Sequence, residues 1–343
     1  MPTTTAAPAP LKHLQPGWYA LVMGLAGLSL AWHRAVPLWG EPAVGASRLI
    51  GALALLVFVL LAGATLLRGW RHPQAWAEDR RHPVRHTFIA TLPISMILLA
   101  TAVVAQHGPS GPALAVWGAG ALGQLWVTLW VLARWLRGNQ PGGLVDGVSH
   151  PPGLVWASVT PALFIPIVGN VLVPLAGVAL GQAGWSAAQF GIGLMFWPVV
   201  LVLIVVRIAL HGLWPERLMP TAFIFIAPPA VVGLSASLLG APAGVVWGLW
   251  GMALFTLLWV ATLAQRMAAL PFGLSHWGMS FPLAALAALT LHLAQPGTVM
   301  AVLGIGLLAL ATLLIAMLLL ATLRGLRNGS LLVADPVAVV RPG

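Results

Sequence analysis

Groups able to do acid–base or metal chemistry are scarce in this chain and poorly spaced for it. The six carboxylates are Glu41, Glu78, Asp79, Asp146, Glu216 and Asp335. Each falls in a loop or tail between apolar stretches, so no pair is placed to share a proton or hold a divalent cation. His82 and His86 stand four apart, a helical spacing that presents two imidazoles to one metal. Pro83 interrupts that turn, and Arg80, Arg81 and Arg85 crowd it with positive charge that disfavours a second cation. A basic vestibule that concentrates anions suits this cluster better. An anchor touching lipid headgroups explains the same residues equally well. Cysteine is absent, which removes disulfides, thiolate nucleophiles and cysteine-held metals. No cofactor is called for, and a membrane enzyme would lack its catalytic groups.

A different kind of site is suggested between Leu274 and Leu293, LSHWGMSFPLAALAALTLHL, where Phe281 is followed at once by Pro282. At about 1.5 Å per residue Phe281 lies about 10 Å in, near the centre of a hydrocarbon layer about 30 Å thick. Proline has no N–H, so the carbonyl of Gly278 is expected to lose its partner and the helix to kink. A freed carbonyl cannot face lipid. It must be buried in protein or line a wet cavity, and the second option makes Phe281 a plug in a conduit. The plainer reading of Phe281 is a helix-packing aromatic.

The elements that must hold such a plug are membrane helices, because 60% of the 343 residues are hydrophobic and only 6% charged. Apolar windows predict ten spans, at about 17-34, 48-69, 84-105, 112-136, 153-180, 187-209, 219-240, 244-265, 274-294 and 298-323. A short tail, 1-15, precedes them and another, 328-343, follows the membrane domain 16-327. The first tail lacks a signal-peptide pattern, so the first span is expected to be retained. The formal charge of +10 does not gather on one module, which argues against nucleic acid as a partner. With the N-terminus inside, only Arg34 and Arg48 of the 16 Lys and Arg residues fall outside. Both termini are therefore expected in the cytoplasm of a bacterium, with the chain multi-pass in its inner membrane and in contact with lipid.

Odd and even spans differ in kind. Pro93 lies in span 3, Pro161, Pro166 and Pro174 in span 5, Pro228 and Pro229 in span 7, and Pro282 in span 9, while span 1 carries Gly24 and Gly27. Spans 2, 4, 8 and 10 have no internal proline, and span 6 is the exception with Pro198. The alternation suggests five hairpins, each pairing a breakable inner helix with a straighter outer one, around a pore. The span centres hold nothing ionisable; Thr91, Ser95, Gln124, Asn170 and Ser280 are enough to hydrate a pore but not to relay protons. His292, near the outer end of span 9, reads as an interfacial histidine. The lack of a coupling group favours a passive channel over a carrier, and the excess of Arg at the inner mouth favours anions.

Several stretches in order, PGWYALVMGLAGLSLAW, EDRRHPVRHTFIATLP, FIPIVGNVLVPLAG, PERLMPTAFIFIAPPAVVG and HWGMSFPLAALA, resemble the tellurite-resistance/dicarboxylate transporter family of TehA- and SLAC1-type anion channels. The resemblance runs from about Pro16 to about Leu326. It implies an all-α integral membrane fold of ten helices in five hairpins, with the odd-numbered helices lining a central pore. It also implies a homotrimer with one pore per copy, and small inorganic or organic anions passing a phenylalanine gate. The gate falls on Phe281, the span 1 glycines on Gly17 and Gly24, and the span 5 and span 7 motifs on Pro166, Asn170, Pro220, Pro228 and Pro229. Ala20 stands where such proteins have a glycine beneath the ring, and the glutamate-proline pair of span 6 is missing. The short N-terminal tail is not expected to carry kinase gating. A C4-dicarboxylate or tellurite-related transporter is the alternative function.

Overall fold

The computed structural model describes residues 10–137, 143–145, 148–150, 154 and 156–333; Asp146, Asp335, Arg341 and most of both tails lie outside them. Where apolar sequence runs without breakers it forms continuous α-helix: α2 (Glu41–Arg71), α4 (Gly111–Trp135), α8 (Ala243–Ala261) and α10 (Val299–Arg327). The helix α6 (Ala183–His211) also continues, through Pro198. Between them lie α1 (16–34), α3 (Arg85–His107), α5 (Pro161–Gly177), α7 (Glu216–Leu238) and α9 (Leu274–Leu293). Each of these five begins as 3₁₀-helix and goes over to α, and α5 does so twice. A short antiparallel ladder, β1 (Gly143–Val145) against β2 (Val148–His150), lies between α4 and α5.

The prolines set where the change occurs. Pro93, Pro166, Pro174, Pro228, Pro229 and Pro282 each occupy one of the first three positions of an α stretch. A missing N–H is cheapest in the first turn. The sharp kink expected at Pro282 is therefore replaced by a handover from 3₁₀ at Leu274–Met279 to α at Ser280–Leu293.

Eight of the helices are long and apolar enough to cross a membrane; α5 and the 15-residue α portion of α1 are shorter. The 3₁₀ stretch rises about 2.0 Å per residue, which brings α1 as a whole to about 30 Å. Burial separates two layers. In α3, α7 and α9, 61–78% of the apolar window is buried, against 6–39% in α2, α4, α6, α8 and α10. The five segmented elements form a closed ring, α1 against α3, α3 against α5, α5 against α7, α7 against α9 and α9 against α1. Each outer helix packs on the inner element just before it in the chain. Glycines permit that approach, as between helices in lipid generally. A Cβ at Gly120 would stand 2.9 Å from the Pro93 carbonyl oxygen, and one at Gly193 would stand 3.0 Å from that of Val168.

Carbonyls at the breaks are met by side chains, as a segment without water requires. Gln124 Nε2 donates to the carbonyls of Ile165 and Pro166 at 3.1 and 3.0 Å, and Thr128 Oγ1 lies 2.6 Å from the latter. Asn170 Nδ2 donates to Thr128 Oγ1 at 2.8 Å, and its Oδ1 accepts from Gln189 Nε2 at 2.8 Å. Trp117 Nε1 donates to Val173 O, and Ser235 Oγ to Val171 O. Ser95 Oγ lies 2.7 Å from Thr91 O, and Ser280 Oγ donates to Trp277 O at 2.7 Å. The expectation that Gln124, Asn170, Ser95 and Ser280 hydrate a pore is therefore corrected. All four are fully buried and hold broken backbone in place.

Candidate functional site

The N-terminal residues of four of the five inner segments gather around one opening. A mouth of about 220 Å³ is lined there by Gln15, Val84, Pro215 and Gly273, which precede the first turns of α1, α3, α7 and α9, together with Arg85 and Arg217. Four helix starts, each a partial positive charge, and two arginine side chains therefore border this opening. Gly17 is also on its wall, and Ala20, Phe88 and Gly278 are shared with the chamber below.

The chamber, about 60 Å³, is lined from all five inner elements: Ala20 and Met23, Thr91 and Ile94, Ile165 and Val168, Pro228 and Val231, and Phe281 with Pro282. It lies at the level where 3₁₀ passes into α. Its walls are apolar except for Thr91, whose hydroxyl is turned to the carbonyls of Phe88 and Pro16 at 2.6 and 2.8 Å. An ion here meets carbon on every side, where an unpaired charge is costly.

Phe281 is 8% exposed, and the exposed part faces this chamber. One turn before it, Trp277 is tied to α10, its Nε1 donating to Thr322 Oγ1 at 2.9 Å. Beneath the ring lies Gly27: a Cβ built there would be 2.8 Å from Phe281 Cδ2 and 3.4 Å from Ala284 Cβ. Gly24 lies one turn away under Ser280, whose side chain fills the space a Cβ would take, and Gly17 faces Leu274. The seat of the ring is thus Gly27, and Ala20 lines the cavity instead of touching the ring's underside. Gly24 meets Ser280 and Trp277, and Gly27, three residues on, meets Phe281 and Ala284. Pro93, Pro166, Pro229 and Asn170 do not line the chamber; they shape the segments that do.

This seat makes a testable coupling. Gly27→Ala should destabilise the wild-type protein by about 1–3 kcal/mol, the usual cost of one methyl too many in a filled core. In a Phe281→Ala background the same methyl enters vacated space and should be near neutral. Thermal unfolding of the four proteins in detergent measures the difference; strict additivity would mean that the ring does not rest on Gly27.

At the mouth, Arg85 belongs to a buried ion cluster that the sequence alone did not reveal. Asp79 is fully buried in the short helix Pro73–Arg81, not in a loop. Its Oδ2 accepts from Arg68 Nη1 at 2.7 Å and its Oδ1 from Arg85 Nη1 at 3.0 Å. Burial pushes the Asp79 carboxyl above its ordinary range, and the two guanidiniums pull against that. Arg80 and Arg81 are exposed and do not reach the mouth, so of the expected basic group Arg85 alone lines it, joined by Arg217. His82 Nδ1 accepts from the backbone N–H groups of Val84 and Arg85, while His86 Nδ1 pairs with the His82 carbonyl at 2.9 Å. Both imidazoles thus serve the start of α3.

A family model described as voltage-dependent anion channel, SLAC1, matches residues 13–323. The chain is 27% identical to the tellurite resistance protein TehA homolog of Haemophilus influenzae, over 80% of this chain and 79% of that protein. It is 23% identical to an uncharacterized transporter of Methanocaldococcus jannaschii, over 80% of this chain and 82% of that one. It is likewise 23% identical to the S-type anion channel SLAH2 of Arabidopsis thaliana, over 80% of this chain but only 51% of the plant protein, so it spans about half of that relative.

Proposed function

We propose, from the premise that this chain belongs to the SLAC1 voltage-dependent anion channel family, that it is a passive channel for small inorganic anions, gated by the ring of Phe281. Anion transport is the role that membership carries. One observation carries the finer reading: a single apolar chamber receives side chains from all five inner segments and has Phe281 on its wall.

In this reading α1 to α10 are ten spans in five hairpins. The basic mouth and both termini face the cytoplasm of a bacterial inner membrane, and three copies assemble with one conduit each. Anions collect at the mouth, where helix starts, Arg85 and Arg217 raise their local concentration and turn cations away. Passage then requires shedding water against Phe281. An apolar ring offers no hydrogen bonds in exchange, so the resting barrier is several kcal/mol. Rotation of the ring off the axis opens the way. None of the chamber's lining side chains ionises near neutral pH, so the chamber itself offers no group to couple flow to protons.

Proteoliposomes test the function directly. With unequal potassium chloride across the bilayer, the reversal potential should follow the chloride gradient and ignore potassium. Imposed proton gradients should not drive malate above equilibrium. Gradient-driven malate accumulation would replace this reading with the dicarboxylate carrier.

A further inference from the structure

The end of the inner ring opposite the mouth carries a cluster that the gate and the mouth do not use. Three inner elements, α1, α7 and α9, finish there, and their last turns meet through Arg34, Ser237 and His292. Arg34 Nη1 lies 3.5 Å from His292 Nδ1, and the other nitrogen of that ring, Nε2, is 2.8 Å from Ser237 Oγ. His33 precedes Arg34 and is half-buried like it. Among the described residues no carboxylate lies within ion-pair distance of Arg34, whereas Arg68, Arg85 and Arg266 each have one. The guanidinium touches the imidazole at the limit of hydrogen-bond distance, and its other donors are left for a different acceptor.

Electrostatics give this placement a purpose. The same polarity that puts positive helix starts at the mouth puts carbonyl ends, about −0.5 charge each, at the far end. Anions leaving the axis would meet a negative rim. Arg34 and Arg48 are the two cations expected on that side, and of these Arg34 belongs to the inner ring while Arg48 is exposed on α2.

We propose that Arg34, steadied by His292 and Ser237, is a second anion-binding site at the outer end of the conduit, a landing point for chloride-like anions entering or leaving. The bland alternative, a cation that only compensates helix ends, makes the same fold but binds nothing. The site rests on the channel reading for its use, and its existence can be tested apart from it.

Crystals soaked in bromide should give an anomalous peak beside the Arg34 guanidinium that disappears in Arg34→Gln and persists in Arg34→Lys. An empty Arg34 in well-diffracting wild-type crystals overturns the site. In a Phe281→Ala background, Arg34→Gln should move half-saturation of current by external chloride about tenfold upward, with Arg34→Lys close to the parent. If Phe281→Ala conducts and Arg34→Gln changes nothing, the landing-point inference fails and the channel stands. If Phe281→Ala does not conduct, the gating reading fails, and the bromide peak alone decides whether Arg34 binds anions.

Discussion

Phe281→Ala should pass chloride about a hundredfold faster than the wild-type protein at rest, a gain equivalent to about 2.7 kcal/mol at 1.36 kcal/mol per tenfold. The ring sits on the wall of a chamber of about 60 Å³ whose other lining is equally apolar, so little else resists an ion at that level. Truncation removes the ring and leaves Gly27, Trp277 and Pro282 to keep the backbone where it is. Some stability will be lost, because Phe281 is 8% exposed and packs on α1. That loss should stay below the 3–5 kcal/mol of a fully enclosed Phe→Ala change, since one face of the ring already borders empty space. Phe281→Leu, which keeps bulk but shortens the plug, should fall between the two. Planar bilayer recordings of purified protein, matched for monodispersity, read this directly. A variant that unfolds without conducting would make Phe281 an ordinary packing residue.

The architecture was legible in the sequence to different depths. Helix-breaking residues in alternate spans pointed to an inner set and an outer set, because a proline or glycine inside lipid has to be compensated by neighbours. What they do to the backbone was less visible. A proline reads as a kink when its helix is assumed to be α on both sides, yet Pro93, Pro228, Pro229 and Pro282 all sit where α begins. The side chains that satisfy the broken backbone come from distant positions; Gln124 and Thr128 of α4 reach the Pro166 carbonyl across about forty residues. No local pattern encodes such a pairing. The gating ring was legible from its motif, but its seat at Gly27 depends on the register between α1 and α9, which only tertiary packing fixes. Asp79 was misplaced for a similar reason. It sits beside Glu78 and two arginines in EDRR, which looks like solvated loop, whereas its partner Arg68 lies eleven residues back on α2.

That pair supports the second large effect. Asp79→Asn should lower stability by about 3–5 kcal/mol, the range for stranding one member of a buried ion pair. Arg68 is 2% exposed, and among the described residues its other partners are neutral: Lys12 O at 3.0 Å, Ala75 O at 3.5 Å and the Trp76 ring, 5.8 Å from the guanidinium carbon. Losing the carboxylate therefore leaves a guanidinium charge without its counter-ion in a closed site that ties the N-terminal segment, α2 and the mouth together. Asparagine has nearly the volume of aspartate, so the loss reports charge, not a cavity. The same change has an opposite effect on conduction. Arg85 loses its anchor and its neutralising partner, and the mouth gains one net positive charge. In a Phe281→Ala background, Asp79→Asn should accordingly raise anion current at low ionic strength, with the gain fading as salt screens the mouth. A purely structural Asp79 predicts lower stability with unchanged current per folded channel. Thermal unfolding within about 1 kcal/mol of wild type would show instead that Arg68 is satisfied by its carbonyl partners alone.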